Sequence, residues 1–198
     1  ALKTSIKVAV PTTILGTTLG TTAAIGITRG RFPGSGLLNG LLMAPMIVPV
    51  IITAAGVFAF YRKLGLHGTV RGLILAHVAL TIPYVVVTVS AALRTVDRRL
   101  EQAALNLGAT PWTAFRRVTL PLIAPGVASG ALFALITSFD ELVVSLFIST
   151  ASVRPVTVQM WSDVRGSVDP TIAAVSSLLL VVSLVVMVAV SLLRRSAR

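Results

Sequence analysis

The chain has 198 residues, 55% hydrophobic and 12% charged, with a mean hydropathy of +0.94; a water-soluble domain of this size carries about 25% charged residues. The net charge of +11 does not point to nucleic acid, because the basic residues lie as short groups between long apolar runs, as anchors at a membrane surface do. There is no cysteine, which excludes disulfides and thiolate metal sites.

Five runs, at approximately 6–27, 37–60, 73–93, 126–149 and 171–193, are long enough to cross the bilayer, which takes about 20 helical residues. Backbone polar groups find no water in lipid, so such spans must be helical. The expectation is an all-α, polytopic transmembrane bundle forming one domain over 1–198, with no internal repeat and a polar loop at 94–120.

Lys3 and Lys7 precede the first run in the manner of a secretion signal. The run is longer than a signal core and leads into further membrane segments, so it reads as a span. Gly16, Gly20 and Ala24 in the first span, and Gly126, Gly130 and Ala134 in the fourth, form stripes of small residues four apart. Such stripes let helix backbones approach closely, here within one chain rather than between copies. Pro45, Pro49 and Pro83 lie inside spans and are expected to bend them. His77, in the third span, reads as a packed or backbone-bonded histidine. Asp169 and Pro170 read as the N-cap and first turn of the last span.

Orientation follows from the arginines and lysines. With 94–120 on the cytoplasmic side, the inner set is Arg29, Arg31, Arg94, Arg98, Arg99, Arg116, Arg117, Arg194, Arg195 and Arg198. The outer set, Lys3, Lys7, Arg62, Lys63, Arg71, Arg154 and Arg165, is smaller, as the positive-inside rule requires.

The 94–120 loop is too polar to cross the membrane. Leu100, Ala104 and Leu107 recur at i, i+4 and i+7, which predicts a short amphipathic helix. Gly108 is placed to end it in a left-handed cap; Thr110 and Pro111 then supply an N-cap and first position for a second short helix. The outcome is a two-helix elbow against the inner membrane surface.

Ala103-Ala104, three residues, Gly108, nine residues, Val118, one residue and Leu120-Pro121 together resemble the loop signature of bacterial ABC importer permeases. The resemblance implies a coupling helix that docks into a cleft of a cytoplasmic ATPase. It marks Glu101, Gln102, Ala103, Ala104, Gly108, Leu120 and Pro121 as the ATPase-coupling set. That signature usually has Glu directly before the alanines; here Gln102 stands there, and Glu101 one position earlier is the candidate to take over its contact. The stretches SFDELVV at 138–144, PVTVQMWSDVRGSVDPTIAAVS at 155–176 and RGRFPG at 29–34 are similar to the spermidine/putrescine branch of the family. Members usually have six spans, so one more is expected before Ala1.

The same resemblance implies the partners: ATPase subunits, a second permease subunit in a homo- or heterodimer, an external substrate-binding protein and membrane lipid. The chain has no GxxxxGK[ST] phosphate loop, no metal-ligand cluster and no nucleophile–base arrangement. No cofactor or catalytic residue is therefore assigned to it, and ATP and Mg are expected on the partner ATPase.

Asp140 and Glu141 are expected in the outer half of the fourth span, where a carboxylate must face protein or a watery cavity. They either attract a polycationic substrate or pair with Arg154 or Arg165. Trp161 and Asp163 in the following outer loop either stack on and pair with an alkylammonium chain or, for the tryptophan, anchor at the interface. Ferric ion, sulfate-like anions and phosphonates are the alternative cargoes, and an ion-coupled secondary transporter is the alternative class.

Overall fold

The computed structural model describes residues 1–30, 33–166 and 170–196; at 166 and over 170–173 and 188–196 only the backbone is described. Three long apolar helices follow the predicted spans: α1 (Leu2–Arg29), α4 (Val70–Thr95), and the continuous helical stretch Pro111–Asp140 that contains α7 (Leu120–Asp140). Each of the three packs against the other two, and α4 makes the most extensive contacts with both α1 and α7.

The two small-residue stripes explain this packing. A Cβ on Gly16 would lie 2.6 Å from Thr81 Oγ1, and one on Gly20 would lie 2.6 Å from Val85 Cβ. From the other side, a Cβ on Gly126 would meet Ala92 Cβ at 2.5 Å, and one on Gly130 would meet Thr88 Oγ1 at 2.7 Å. Each stripe ends in a fully buried alanine, Ala24 or Ala134. Both stripes therefore pack within the chain, as expected, and both are spent on α4. In lipid, where tails compete on equal terms with apolar side chains, this closeness supplies the attraction between helices.

Two expected spans differ. The run 37–60 is a bent pair, α2 (Ser35–Ile47) and α3 (Val50–Leu64), turned by 104° at Val48-Pro49. Val48 is extended and Pro49 caps α3, so the proline does not curve a single helix but separates two. The run 126–149 ends early: α7 stops at Asp140, Glu141 is extended, and a separate helix, α8 (Val143–Ile148), follows. Among the described residues, three helices can cross a membrane alone, or four elements if the bent pair counts as one span. The fifth expected span falls on α10 (Pro170–Ser196), whose side chains are described only over part of its length. Asp169, expected to cap it, lies outside the described residues, as do Arg31 and Arg198.

The break after Asp140 is stabilised locally and from α4. Glu141 Oε1, one residue before the N-cap Leu142, accepts from the Val144 backbone N–H at 2.6 Å and so satisfies a first-turn donor of α8. Buried His77 places Nδ1 2.9 Å from Ser138 Oγ on α7 and Nε2 3.1 Å from Ser145 Oγ on α8. A neutral imidazole has one donor and one acceptor nitrogen, so the two hydroxyls take opposite roles. His77 is thus a packed, fully partnered histidine that clamps both sides of the break.

The elbow and the outer carboxylates as candidate functional site

The loop at 94–120 forms the predicted elbow. Asp97 caps α5 (Arg98–Asn106) by accepting from the Arg99 N–H at 2.9 Å. Gly108 ends the turn with φ +87°, a left-handed conformation that glycine adopts without cost. Thr110 accepts from the Thr113 N–H at 3.3 Å, and Pro111 opens α6 (Pro111–Ala114). The second arm is not a separate short helix. A π-helical turn over Phe115–Thr119 joins α6 to α7, so this arm is the root of a transmembrane helix.

The stripe that suggested an amphipathic helix is left uncovered. No residue of α5 is buried. Leu100 is 50% exposed and Leu107 88%, and Trp112, on the second arm and stacked on Phe115, is 68% exposed. Gln102, Ala103 and Gly108 are exposed, Ala104 is half-buried, and Leu120 and Pro121 lie exposed at the start of α7. Leu107 and Trp112 were missed as candidates from the sequence. Their signal is their placement, large apolar residues flanking the Gly108 turn of a polar loop.

Glu101 is turned inward. It forms an ion pair with Arg29 at the end of α1, and its Oε2 also accepts from the hydroxyl of buried Thr119 at 3.1 Å.

The 21 residues of α7 span about 31 Å, and Asp140 is the last of them, with Glu141 directly after it at the end of the helix far from the elbow. Asp140 is exposed; Glu141 is half-buried and engaged with α8. Neither pairs with an arginine among the described residues. Arg154 instead donates to Gln159 Oε1 at 3.0 Å and Ser162 Oγ at 2.6 Å, and the Arg165 guanidinium lies 4.9 Å from the centre of the Trp161 ring. Asp163 accepts from Gln159 Nε2 at 2.7 Å. Trp161 and Asp163, on α9 (Val156–Gly166), are therefore occupied by neighbours on their own helix. The Thr157 hydroxyl donates to the Glu141 carbonyl at 3.2 Å, tying α9 to the break. Among the described residues, Asp140 is the one charged residue lining a cavity of about 330 Å³ whose walls include Ile6, Phe139, Thr157 and Val182.

The chain is a helical bundle with several apolar spans and an elbow of this spacing between two of them. The chain belongs to the family described as binding-protein-dependent transport system inner membrane component, which matches residues 16–198. It is accordingly a multi-pass component of the inner membrane.

Among its relatives is the spermidine/putrescine transport system permease protein PotC of Escherichia coli K12, 34% identical over 145 residues, which cover 73% of this chain and 55% of PotC. The putrescine transport system permease protein PotI of the same strain is 42% identical over 106 residues, covering 54% of this chain and 38% of PotI. The trehalose transport system permease protein SugB of Mycobacterium tuberculosis is 34% identical over 118 residues, covering 58% of this chain and 43% of SugB. The match thus spans 38–55% of the length of these curated relatives. The crystal structure of an amino acid ABC transporter with histidines shares the fold, with a TM-score of 0.72 at 19% identity, over 98% of this chain and 91% of that one.

Proposed function

We propose that this chain is the permease subunit of an ATP-binding-cassette importer, that it forms part of the pathway for a polyamine such as spermidine or putrescine, and that its elbow docks on a cytoplasmic ATPase. The observation that carries the docking is the uncovered apolar surface of Leu100, Leu107 and Trp112 on a loop otherwise too polar for lipid. A groove on a soluble partner would remove that surface from water. Ala103, Ala104 and Gly108 keep the approach close, Gln102 lies on the exposed side, and Leu120-Pro121 roots the second arm in α7. ATP and Mg belong to that partner, and the chain itself is not an enzyme. A second permease subunit and an external substrate-binding protein complete the assembly.

The substrate reading draws on the resemblance to PotC and PotI and on Asp140. An exposed carboxylate at the edge of an apolar cavity suits an alkylammonium, whose methylenes need apolar walls and whose charge needs an anion. Asp140 is the first contact and Glu141 supports it, while Trp161 and Asp163 act only if α9 releases them. SugB names a different cargo at similar identity, so cargo must be measured.

The experiment is uptake of labelled spermidine into proteoliposomes holding the assembled complex, with and without ATP. ATP-dependent uptake supports the reading. Uptake by this subunit without any ATPase would replace it with an ion-coupled transporter, and ATP-dependent uptake of ferric ion, sulfate or phosphonate in place of spermidine would reassign the cargo.

A further inference from the structure

We infer that Arg29, Glu101 and Thr119 form the joint that carries movement of the elbow into α1 and α7, with Arg29 and Thr119 as positioning residues. This deepens the importer reading and rests on it.

Helix α5 has no buried residue, and its Leu100 and Leu105 are exposed, so it is not held to the spans by a buried apolar face. Arg29–Glu101 is the sole ion pair among the described residues. A single oxygen, Glu101 Oε2, takes both the Arg29 guanidinium Nη1 and the Thr119 hydroxyl. Arg29 is the last residue of α1, and Thr119 is the last residue of the π-helical turn from which α7 rises. One carboxylate therefore ties the elbow to two transmembrane helices at once.

The site is sheltered enough to matter. Thr119 is fully buried, and the Arg29 and Glu101 side chains are 16% and 26% exposed. Charge-assisted hydrogen bonds in such a place are stronger than exposed surface pairs. A second tether lies beside it: Arg98 Nη2 donates to the Thr28 carbonyl at 3.2 Å, setting a cation at the C-terminal end of α1 where the helix dipole favours it. The π-helical turn sits at the same point, a local irregularity of the kind that accompanies functional sites. An elbow pushed from below would thus pull on α1 and α7, the two helices whose glycine stripes grip α4.

Glu101 accordingly acts from inside. Contacts to the ATPase fall to the exposed residues Gln102, Ala103, Leu107 and Gly108, while Glu101 transmits what they receive.

The test uses the reconstituted complex and reads spermidine taken up per ATP hydrolysed in Arg29→Glu, Glu101→Arg and the double exchange. Each single substitution should lower that ratio at least about fivefold, the lower end of measured site-to-site coupling, and the double should recover about half or more of it. The ATPase subunit should still co-purify with all three. An unchanged ratio in the singles, or a double no better than the worse single, overturns the joint. Loss of the ATPase subunit from the singles also overturns it, since Glu101 would then belong to the partner contact. Should a single fail to accumulate in the membrane, Thr119→Val removes only the hydroxyl and is read the same way. If the wild-type complex takes up no spermidine with ATP, the cargo reading has failed; the joint is then read from the binding protein's stimulation of ATP hydrolysis, which the singles should lose and the double regain.

Discussion

Around α4 the protein sets glycines against threonine and valine side chains, whereas in the elbow it leaves leucine and tryptophan uncovered and holds α5 to the bundle through a few polar contacts centred on the Arg29–Glu101 ion pair. The first arrangement leaves no room for change. The second holds a surface ready for something else to bury. A region built on close backbone contact should answer substitution by unfolding, and a region built on an exposed stripe should answer by losing its partner while the bundle stays intact.

Substitutions can break that contrast, and the largest effect should come from the core. Gly20→Leu drives a side chain into Val85, which a Cβ alone would approach to 2.6 Å; overpacking of this kind should cost about 3 kcal/mol or more. Thermal unfolding in detergent should show it as a lower midpoint and poor recovery of folded subunit. Gly26, which has no neighbour within 4 Å of a built Cβ, is the control, and Gly26→Ala should be tolerated.

His77→Ala comes next. It leaves the hydroxyls of buried Ser138 and Ser145 without their imidazole, at a cost of about 1–3 kcal/mol. Hydrogen exchange at Leu142 and Val143, where the helix breaks, should rise before that of α4. Protection unchanged there would mean the break needs no clamp.

In the elbow, Gly108→Val forces a β-branched residue to φ +87°, a strain of about 1–2 kcal/mol. Because Gly108 is exposed, the unfolding midpoint should shift less than in Gly20→Leu, while ATP-dependent uptake should fall further. The smallest effect belongs to the outer end. Asp140→Asn removes an exposed charge and should weaken apparent spermidine affinity by about two- to fivefold, the range of exposed ion pairs. Unchanged affinity in both Asp140→Asn and Glu141→Gln would remove the carboxylates from the pathway.

The same contrast explains what could be read from the sequence. Gly108, Thr110 and Pro111 determine the elbow through local rules, a left-handed cap followed by an N-cap and a first-turn proline, and each is found where expected. The glycine stripes were legible because their four-residue spacing is itself the packing surface. The break after Asp140 was not: its contacts run through His77, which lies 61 residues from Ser138 and 68 from Ser145. Glu101 shows the same limit: its position near the alanine pair was visible, but its partner Arg29 is 72 residues away and on another helix. Beyond α7, charge alone pairs Asp140 and Glu141 with Arg154 or Arg165. They are taken instead by Gln159, Ser162 and Trp161, neighbours whose claim is decided by the local helix.

The central claim is that the elbow presents its uncovered apolar surface to an ATPase, and Leu107, at 88% exposure, is its most direct probe. The measurement is the affinity of the cytoplasmic ATPase subunit for the detergent-solubilised subunit carrying Leu107→Asp, alongside its unfolding midpoint. The account predicts a loss of at least about tenfold in affinity, as for a central interface residue, with the midpoint unmoved. Wild-type affinity in Leu107→Asp would contradict it.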